Sequence, residues 1–197
     1  MEKEIAIYWW SFNPPTLGHK HVIESVLNKT KIESIILNPD WERLDKDYNI
    51  EKKHRKLMID LFHNDLNNSW LKVDVEEYFM NWKNWRDTTI MQVKDYYKEI
   101  LWFEPWFIFW TDVINAMPKW KDNKDKYIEK KLKKIFIPRP WSKYNLDWFE
   151  NYIVLDSNLV DISSSQVKEE LIKNKNNVNE LINKDIKEYI NENNLYI

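Results

Sequence analysis

Residues 4–39 read EIAIYWWSFNPPTLGHKHVIESVLNKTKIESIILNP, and the change of texture along this stretch decides the fold. Glu4 to Tyr8 is a short apolar run of strand length. Gly18 to Lys29 follows with Val22/Val26 and Ile23/Leu27 at i, i+4, a spacing that stacks side chains on one helical face. Ser34 to Leu37 is a second apolar run, closed by the turn dipeptide Asn38-Pro39. The strands are apolar on both faces instead of alternating. Such strands, joined through a helix, run parallel and lie under helices on each side.

The same unit recurs downstream. Glu51 to Phe62 reads as helix, Leu71 to Val75 as strand and Thr88 to Ile100 as helix; Phe107 to Phe109, Ile135 to Ile137 and Tyr152 to Leu155 read as further buried strands. From Ser163 to Ile197 only helical spacing remains, carried by Leu181, Ile182, Ile186 and Ile190 and broken near Asn174 to Asn177. The expectation is an α/β, Rossmann-like parallel sheet with helices on both faces and a helical C-terminal tail, in one domain over 1–197 whose helical part covers about 163–197. The Lys-rich stretch Lys119 to Lys134 reads as a solvated helix face.

Composition removes several classes. At 197 residues the chain can bury a substantial core, and its formal charge of -2 gives no broad cationic surface for nucleic acid or anionic lipid. The apolar run from Ile100 to Trp110 is interrupted by Glu104 and Pro105 and is far short of the ~20 residues that span a bilayer. No cysteine is present, so neither a disulfide framework nor a thiolate site exists. With no signal-like start, the expected location is cytoplasmic, with no membrane and no nucleic-acid partner.

One pair of counts is abnormal: one glycine and twelve tryptophans. An average chain of this length carries about 14 glycines. Several tryptophans stand where a turn glycine is usual: Asp40-Trp41, Ser69-Trp70, Asn81-Trp82, Asn84-Trp85, Pro140-Trp141 and Asp147-Trp148. Some uncultured bacteria read UGA as glycine, and a Lys-, Asn- and Ile-rich chain with four arginines fits an AT-rich genome. Most of these tryptophans are therefore expected to be glycines in the native protein.

Ligands of parallel α/β sheets bind at the carboxyl ends of the strands, where helix N-termini favour phosphates. The first such place is Trp9-Trp10-Ser-Phe-Asn-Pro-Pro-Thr-Leu-Gly-His19. With glycine at 9 and 10 this string resembles the signature of the nucleotidyltransferase superfamily that includes the nicotinate-nucleotide adenylyltransferases. The resemblance implies that Trp9, Trp10, Ser11, Phe12, Thr16 and His19 hold ATP, with His19 stabilising charge on the phosphoryl oxygens. Thr16 stands where many members carry a first histidine. His21, His54 and His63 read as structural.

Two further segments extend the resemblance. Ile162-Ser-Ser-Ser-Gln-Val-Lys168 resembles Ile-Ser-Ser-Thr-x-Ile-Arg, in which Ser163 and Gln166 form a capping box that fixes a helix start. The family pattern gives Ser164, Ser165 and Lys168 contacts to ATP phosphates, with Lys168 second to His19 as a catalytic group; lysine keeps the charge of the usual arginine and loses its fork. Phe107 to Trp120, with glycine at 110, resembles the stretch in which an Asp lies in the nucleotide pocket and a Trp eight residues later stacks on nicotinate. That implies ATP contacts at Trp110 and Asp112 and nicotinate contacts at Trp120 and the Lys121 amide. Trp120 is thus expected to be an authentic tryptophan. Thr88, in Arg86-Asp-Thr-Thr-Ile90, is the candidate for the nicotinate carboxylate, and Pro138-Arg-Pro-Trp141 resembles a turn near adenine.

The resemblance implies adenylyl transfer from ATP to nicotinate mononucleotide, with Mg²⁺ carried on ATP and no dedicated protein metal site. Nicotinamide mononucleotide and phosphopantetheine remain alternative acceptors. A non-catalytic nucleotide- or RNA-binding protein is the alternative from another class. Arg43 or Lys46, in the loop from Asn38 to Asn49, could meet the acceptor phosphate; the oligomeric state is left open.

Overall fold

Strand β1 (Ile5–Trp10) pairs in parallel with β2 (Ser34–Pro39) on one side and with β4 (Trp106–Trp110) on the other. A computed structural model describes residues 4–40, 48–76, 88–155, 162–173 and 178–196. With β3 (Val73–Val75), β5 (Lys134–Ile137) and β6 (Tyr152–Val154), these strands form one six-stranded sheet in the order β3-β2-β1-β4-β5-β6, every pairing parallel. The order reverses between β1 and β4, which opens a crevice at their carboxyl ends.

Helix α1 (Leu17–Lys29) joins β1 to β2 and α2 (Lys52–Asn68) precedes β3, so right-handed crossovers put both on one face; α3 (Ile90–Leu101) crosses to the other. Side chains agree. The Tyr8 ring meets Phe12 and His19, and Phe12 meets Phe62 of α2, whereas Tyr97 of α3 donates to Asn38, the residue that follows Leu37, the register partner of Tyr8. Ile7, Tyr8, Ile35, Leu37, Phe107, Ile108, Ile135 and Phe136 are all fully buried, as expected for strands covered on both faces. Helices α5 (Ser164–Lys173) and α6 (Lys184–Glu192) complete the tail, and α6 packs against α2.

The expected architecture is present, with local differences. β1 runs on to Trp10 and β2 to Pro39, because the ladder continues past the last aliphatic residue. α2 continues beyond Phe62 to bury Leu66. Leu181 and Ile182, expected in a helix, lie in the turn ahead of α6, whose start is fixed by Asn183 accepting from the Ile186 amide at 2.8 Å. The segment 174–177 lies outside the described residues.

The Lys-rich stretch is solvated at Lys119, Lys121, Lys124, Lys126, Lys130 and Lys131, but it is not one helix face. Only α4 (Tyr127–Lys130) is helical there, and Lys134 sits in β5 with 0% exposure. Its Nζ donates to the carbonyls of Ile128, Glu129 and Leu132 at 2.8, 3.2 and 2.5 Å, capping the backbone acceptors that the short helix leaves unpaired. Burial lowers the Lys134 pKa from its usual range to about 8. Among the described residues no helix is long and apolar enough to cross a membrane.

Candidate active site

The turn from Ser11 to Pro15 leaves β1 at the crevice and enters α1 through Thr16, an N-cap in extended backbone. Thr16 Oγ1 accepts from the His19 amide at 3.3 Å, and His19 Nδ1 accepts from the Thr16 amide at 2.9 Å, a capping box closed by histidine instead of Glu or Gln. Because Nδ1 is an acceptor, the neutral ring carries its proton on Nε2. Thr16 is therefore no passive substitute for a first histidine: it sets the tautomer and orientation of His19. A tilted contact of the ring with Phe12, centroids 5.0 Å apart and planes at 55°, holds it further.

The Ser163 segment meets this turn directly. Ser163 Oγ accepts from the Gln166 amide at 3.1 Å, the expected cap of α5, and Ser164 Oγ donates to the Pro14 carbonyl at 2.8 Å. Thr16 Oγ1 lies 3.3 Å from the Ile162 carbonyl. Gly18 makes the approach possible, since a Cβ there would stand 2.6 Å from that same oxygen. Two helix N-termini thus converge on one point, a ready anion site.

Between them lies a cavity of about 370 Å³ whose walls include Ser11, His19, Trp110, Arg139, Ser165 and Lys168. Trp10 lines it as well, while Asp112 pairs with Arg139 at 3.3 Å from the rim. The Arg139 guanidinium lies 4.3 Å above the Trp110 ring centroid, and its amide accepts positioning from Thr111, donating to Oγ1 at 2.9 Å. A second, open cavity of about 700 Å³ shares Ser165 and Lys168 with the first. Lys168 therefore stands between two cavities.

The opposite face of the sheet edge carries the other candidates. Trp9 is the register partner of Asn38, and Phe109 meets Trp120 edge-on with centroids 6.3 Å apart. Asp122 Oδ2 accepts from the Met91 amide in the first turn of α3 at 3.1 Å, which draws the Trp120–Lys121 segment toward Thr88. The Thr88 hydroxyl is buried with no hydrogen-bond partner among the described residues, whereas Thr89, not Thr88, caps α3. Lys121 is exposed. The sequence candidates thus divide by face: His19, Trp10, Trp110, Ser165 and Lys168 around the α1 cavity, and Trp9, Trp120 and Thr88 on the α3 side. Arg43 and Lys46 lie outside the described residues.

Sequence reading did not pick out Arg55, Tyr8 or Asn13. Arg55 is 1% exposed, donates from Nη2 to the carbonyls of Ser11 and Asp40 at 2.7 and 2.6 Å, and stacks on Tyr48. Its signal was a charge on the stripe Arg55, Met58, Ile59, Phe62, Leu66, the buried face of α2. Tyr8 is fully buried beside Trp110 and Arg139, and burial raises its pKa well above the usual phenol range. His54 bonds Tyr189 and His63 bonds the Val73 carbonyl, both structural as expected.

Comparison with known proteins fits this geometry. The cytidylyltransferase-like family model matches residues 7–170, and the chain belongs to that family. A Fusobacterium nucleatum relative named "Probable nicotinate-nucleotide adenylyltransferase" is 27% identical, covering 95% of this chain and 96% of its own. A Streptococcus pyogenes relative of the same name is 26% identical over 98% of this chain and 89% of its own. Among solved structures, a Plasmodium falciparum nicotinic acid mononucleotide adenylyltransferase complexed with NaAD superposes with a TM-score of 0.83 at 25% identity, covering 98% of this chain and 97% of that one.

Proposed function

We propose that the protein transfers the adenylyl group of ATP to nicotinate mononucleotide, releasing pyrophosphate and forming nicotinate adenine dinucleotide. The observation that carries this reading is the convergence of His19 and the α1 and α5 N-termini on one polar cavity, with Trp120 and Thr88 across the sheet edge on the α3 side. An oxygen of the acceptor phosphate attacks the α-phosphorus in line, and the bond to the bridging oxygen of the β-phosphate breaks. The acceptor is already an anion, so the chain supplies positioning and charge stabilisation, not a nucleophile. His19 Nε2 donates to the phosphoryl oxygens, Lys168 and Ser165 hold the departing pyrophosphate, and Asp112 with Arg139 flanks the nucleoside. Trp120 offers a flat face to the pyridine, and the Thr88 hydroxyl and Lys121 amide meet its carboxylate.

Magnesium enters this reading with ATP. Among the described residues no group of three His, Asp or Glu side chains could hold a metal, and the donor set suits an ion coordinated by phosphate oxygens. When bound, it neutralises phosphate charge. The direct test is to incubate the protein with ATP and nicotinate mononucleotide and identify the dinucleotide by mass. Equimolar dinucleotide and pyrophosphate support the reading; ATP left intact, or hydrolysed without dinucleotide, refutes it.

We also infer that most tryptophans here are glycine in the native protein. Trp70 and Trp102 have φ of 63° and 64°, the left-handed region that a bulky residue avoids, and Trp102 occupies the C-cap of α3. They are 94% and 92% exposed, so their indoles bury nothing in return. Trp10 and Trp110 project into the cavity where a nucleotide needs bare backbone. Peptide masses of the native protein decide it: glycine at 70, 102 and 110 is expected, and tryptophan there overturns the inference.

A further inference from the structure

The nucleotide turn is held from outside itself. Three of its anchors come from separate elements: Arg55 of α2 donates to the Ser11 carbonyl at 2.7 Å, Ser164 of α5 donates to the Pro14 carbonyl at 2.8 Å, and the Tyr196 hydroxyl of the tail donates to Asn13 Oδ1 at 2.5 Å. The third bond spans 183 residues and joins two buried side chains, Asn13 at 4% and Tyr196 at 8% exposure. It also fixes the Asn13 amide, because an oxygen that accepts from Tyr196 leaves Nδ2 to donate to the Tyr48 carbonyl, 3.0 Å away. Asn13 thus ties the turn to the loop ahead of α2 and to the tail after α6.

The tail is built to deliver this hydroxyl. α6 is bound to α2 through Tyr189 and His54 at 2.8 Å, and the Leu195 amide closes on the Ile190 carbonyl at 3.0 Å. The backbone then turns through left-handed φ at Asn194 (50°) and Tyr196 (62°), and at the other end of the bond Phe12 has φ 46°. Three non-glycine residues in that region are strained, and such strain persists only where surrounding contacts over-determine it. Burial raises the Tyr196 pKa above the usual phenol range, so the hydroxyl keeps its proton and donates throughout the working pH range.

We propose that Tyr196 is a positioning residue for ATP: through Asn13 it holds the Ser11–Pro15 turn in the shape that lines the nucleotide cavity. This rests on the adenylyl-transfer reading. Among the described residues no hydrogen bond joins the latch to Trp120 or Thr88, so the effect is expected on ATP.

The test is Y196F, which removes one oxygen and keeps the ring. Expected is a KM for ATP raised roughly three- to tenfold, the size of one buried hydrogen bond, with kcat and the KM for nicotinate mononucleotide within twofold of the parent. The pair Y196F and N13A closes the argument: the double variant should bind ATP no worse than N13A alone. A lowered melting temperature with an unchanged KM for ATP would make Tyr196 a fold residue only and overturn the proposal, as would additive effects of the two substitutions. If the parent makes no dinucleotide, the adenylyl-transfer reading fails by itself, and amide exchange of residues 5–17 then judges the latch. Faster exchange in Y196F supports it; equal exchange refutes it.

Discussion

Replacing Gly18 with alanine sets two effects of opposite sign against each other. An α-helical Gly→Ala change favours the helix by about 1 kcal/mol. The new methyl carbon, however, would lie 2.6 Å from the Ile162 carbonyl oxygen, closer than such atoms approach, and at a tight 3.2 Å from Ile162 Cβ. Relief requires a shift of roughly half an ångström or more, and overpacking of this kind costs about 1–3 kcal/mol. The net loss is then ~0–2 kcal/mol, a fall in Tm of at most about 8 °C. The displaced group matters more than the energy: Ile162 leads straight into Ser163–Lys168, and Thr16 Oγ1 reaches its carbonyl. Misplacing one helix start by up to ~1 Å against the other should lower kcat/KM on the order of 100-fold. Pyrophosphate release and calorimetry on G18A together decide the matter. A variant that melts higher and turns over normally, as helix propensity alone predicts, would refute the claim that this contact sets the site.

Other outcomes follow from the same geometry. H19A should reduce kcat roughly 100- to 1,000-fold through loss of the Nε2 donor, and should also lower Tm by several degrees because the buried ring packs on Phe12 and closes the α1 cap; activity comparable to the parent would remove His19 from the mechanism. W102G and W70G should each raise Tm by about 2–4 °C, because each relieves a left-handed backbone and exposes nothing; a lower Tm would contradict the turn-glycine reading. Lys134 gives a pH signature. Its folded pKa, lowered to about 8 by burial, lies below the ordinary lysine value, so the unfolded chain binds more protons between those values and stability rises with pH across that window. Urea midpoints at pH 7.5 and 9.5 should show this rise in the parent and lose it in K134M; an equal slope in both would refute it. The buried phenols Tyr8 and Tyr97 act in the opposite sense at higher pH, so the comparison stays below their range.

What the sequence made legible was whatever rests on local texture. Ile5 to Pro39 carries its own strand, helix and strand, and the Ser163–Gln166 cap is set by residues three apart, whereas the Thr16–His19 cap emerged only with the structure. Lys134 was misread because its partners are carbonyls of a four-residue helix, which no side-chain pattern reveals. The Tyr196 bond was illegible for a similar reason: its partner is Asn13, at the far end of the chain. Arg139 was seen as part of a turn, but its pairing with Asp112 depends on β4 and β5 being neighbours. The division of candidates between two faces came only with register, which places Tyr8 opposite Leu37 and Trp9 opposite Asn38.

The central claim is acceptor identity, and the most direct measurement is kcat/KM for pyrophosphate release from ATP with nicotinate mononucleotide, nicotinamide mononucleotide and phosphopantetheine in parallel. It should be run on the chain as encoded and on one with glycine at 9, 10 and 110. Turnover is expected in the glycine form, highest with nicotinate mononucleotide, and weak or absent where indoles fill the cavity. Preference for phosphopantetheine, or no release with any acceptor in either form, would contradict it.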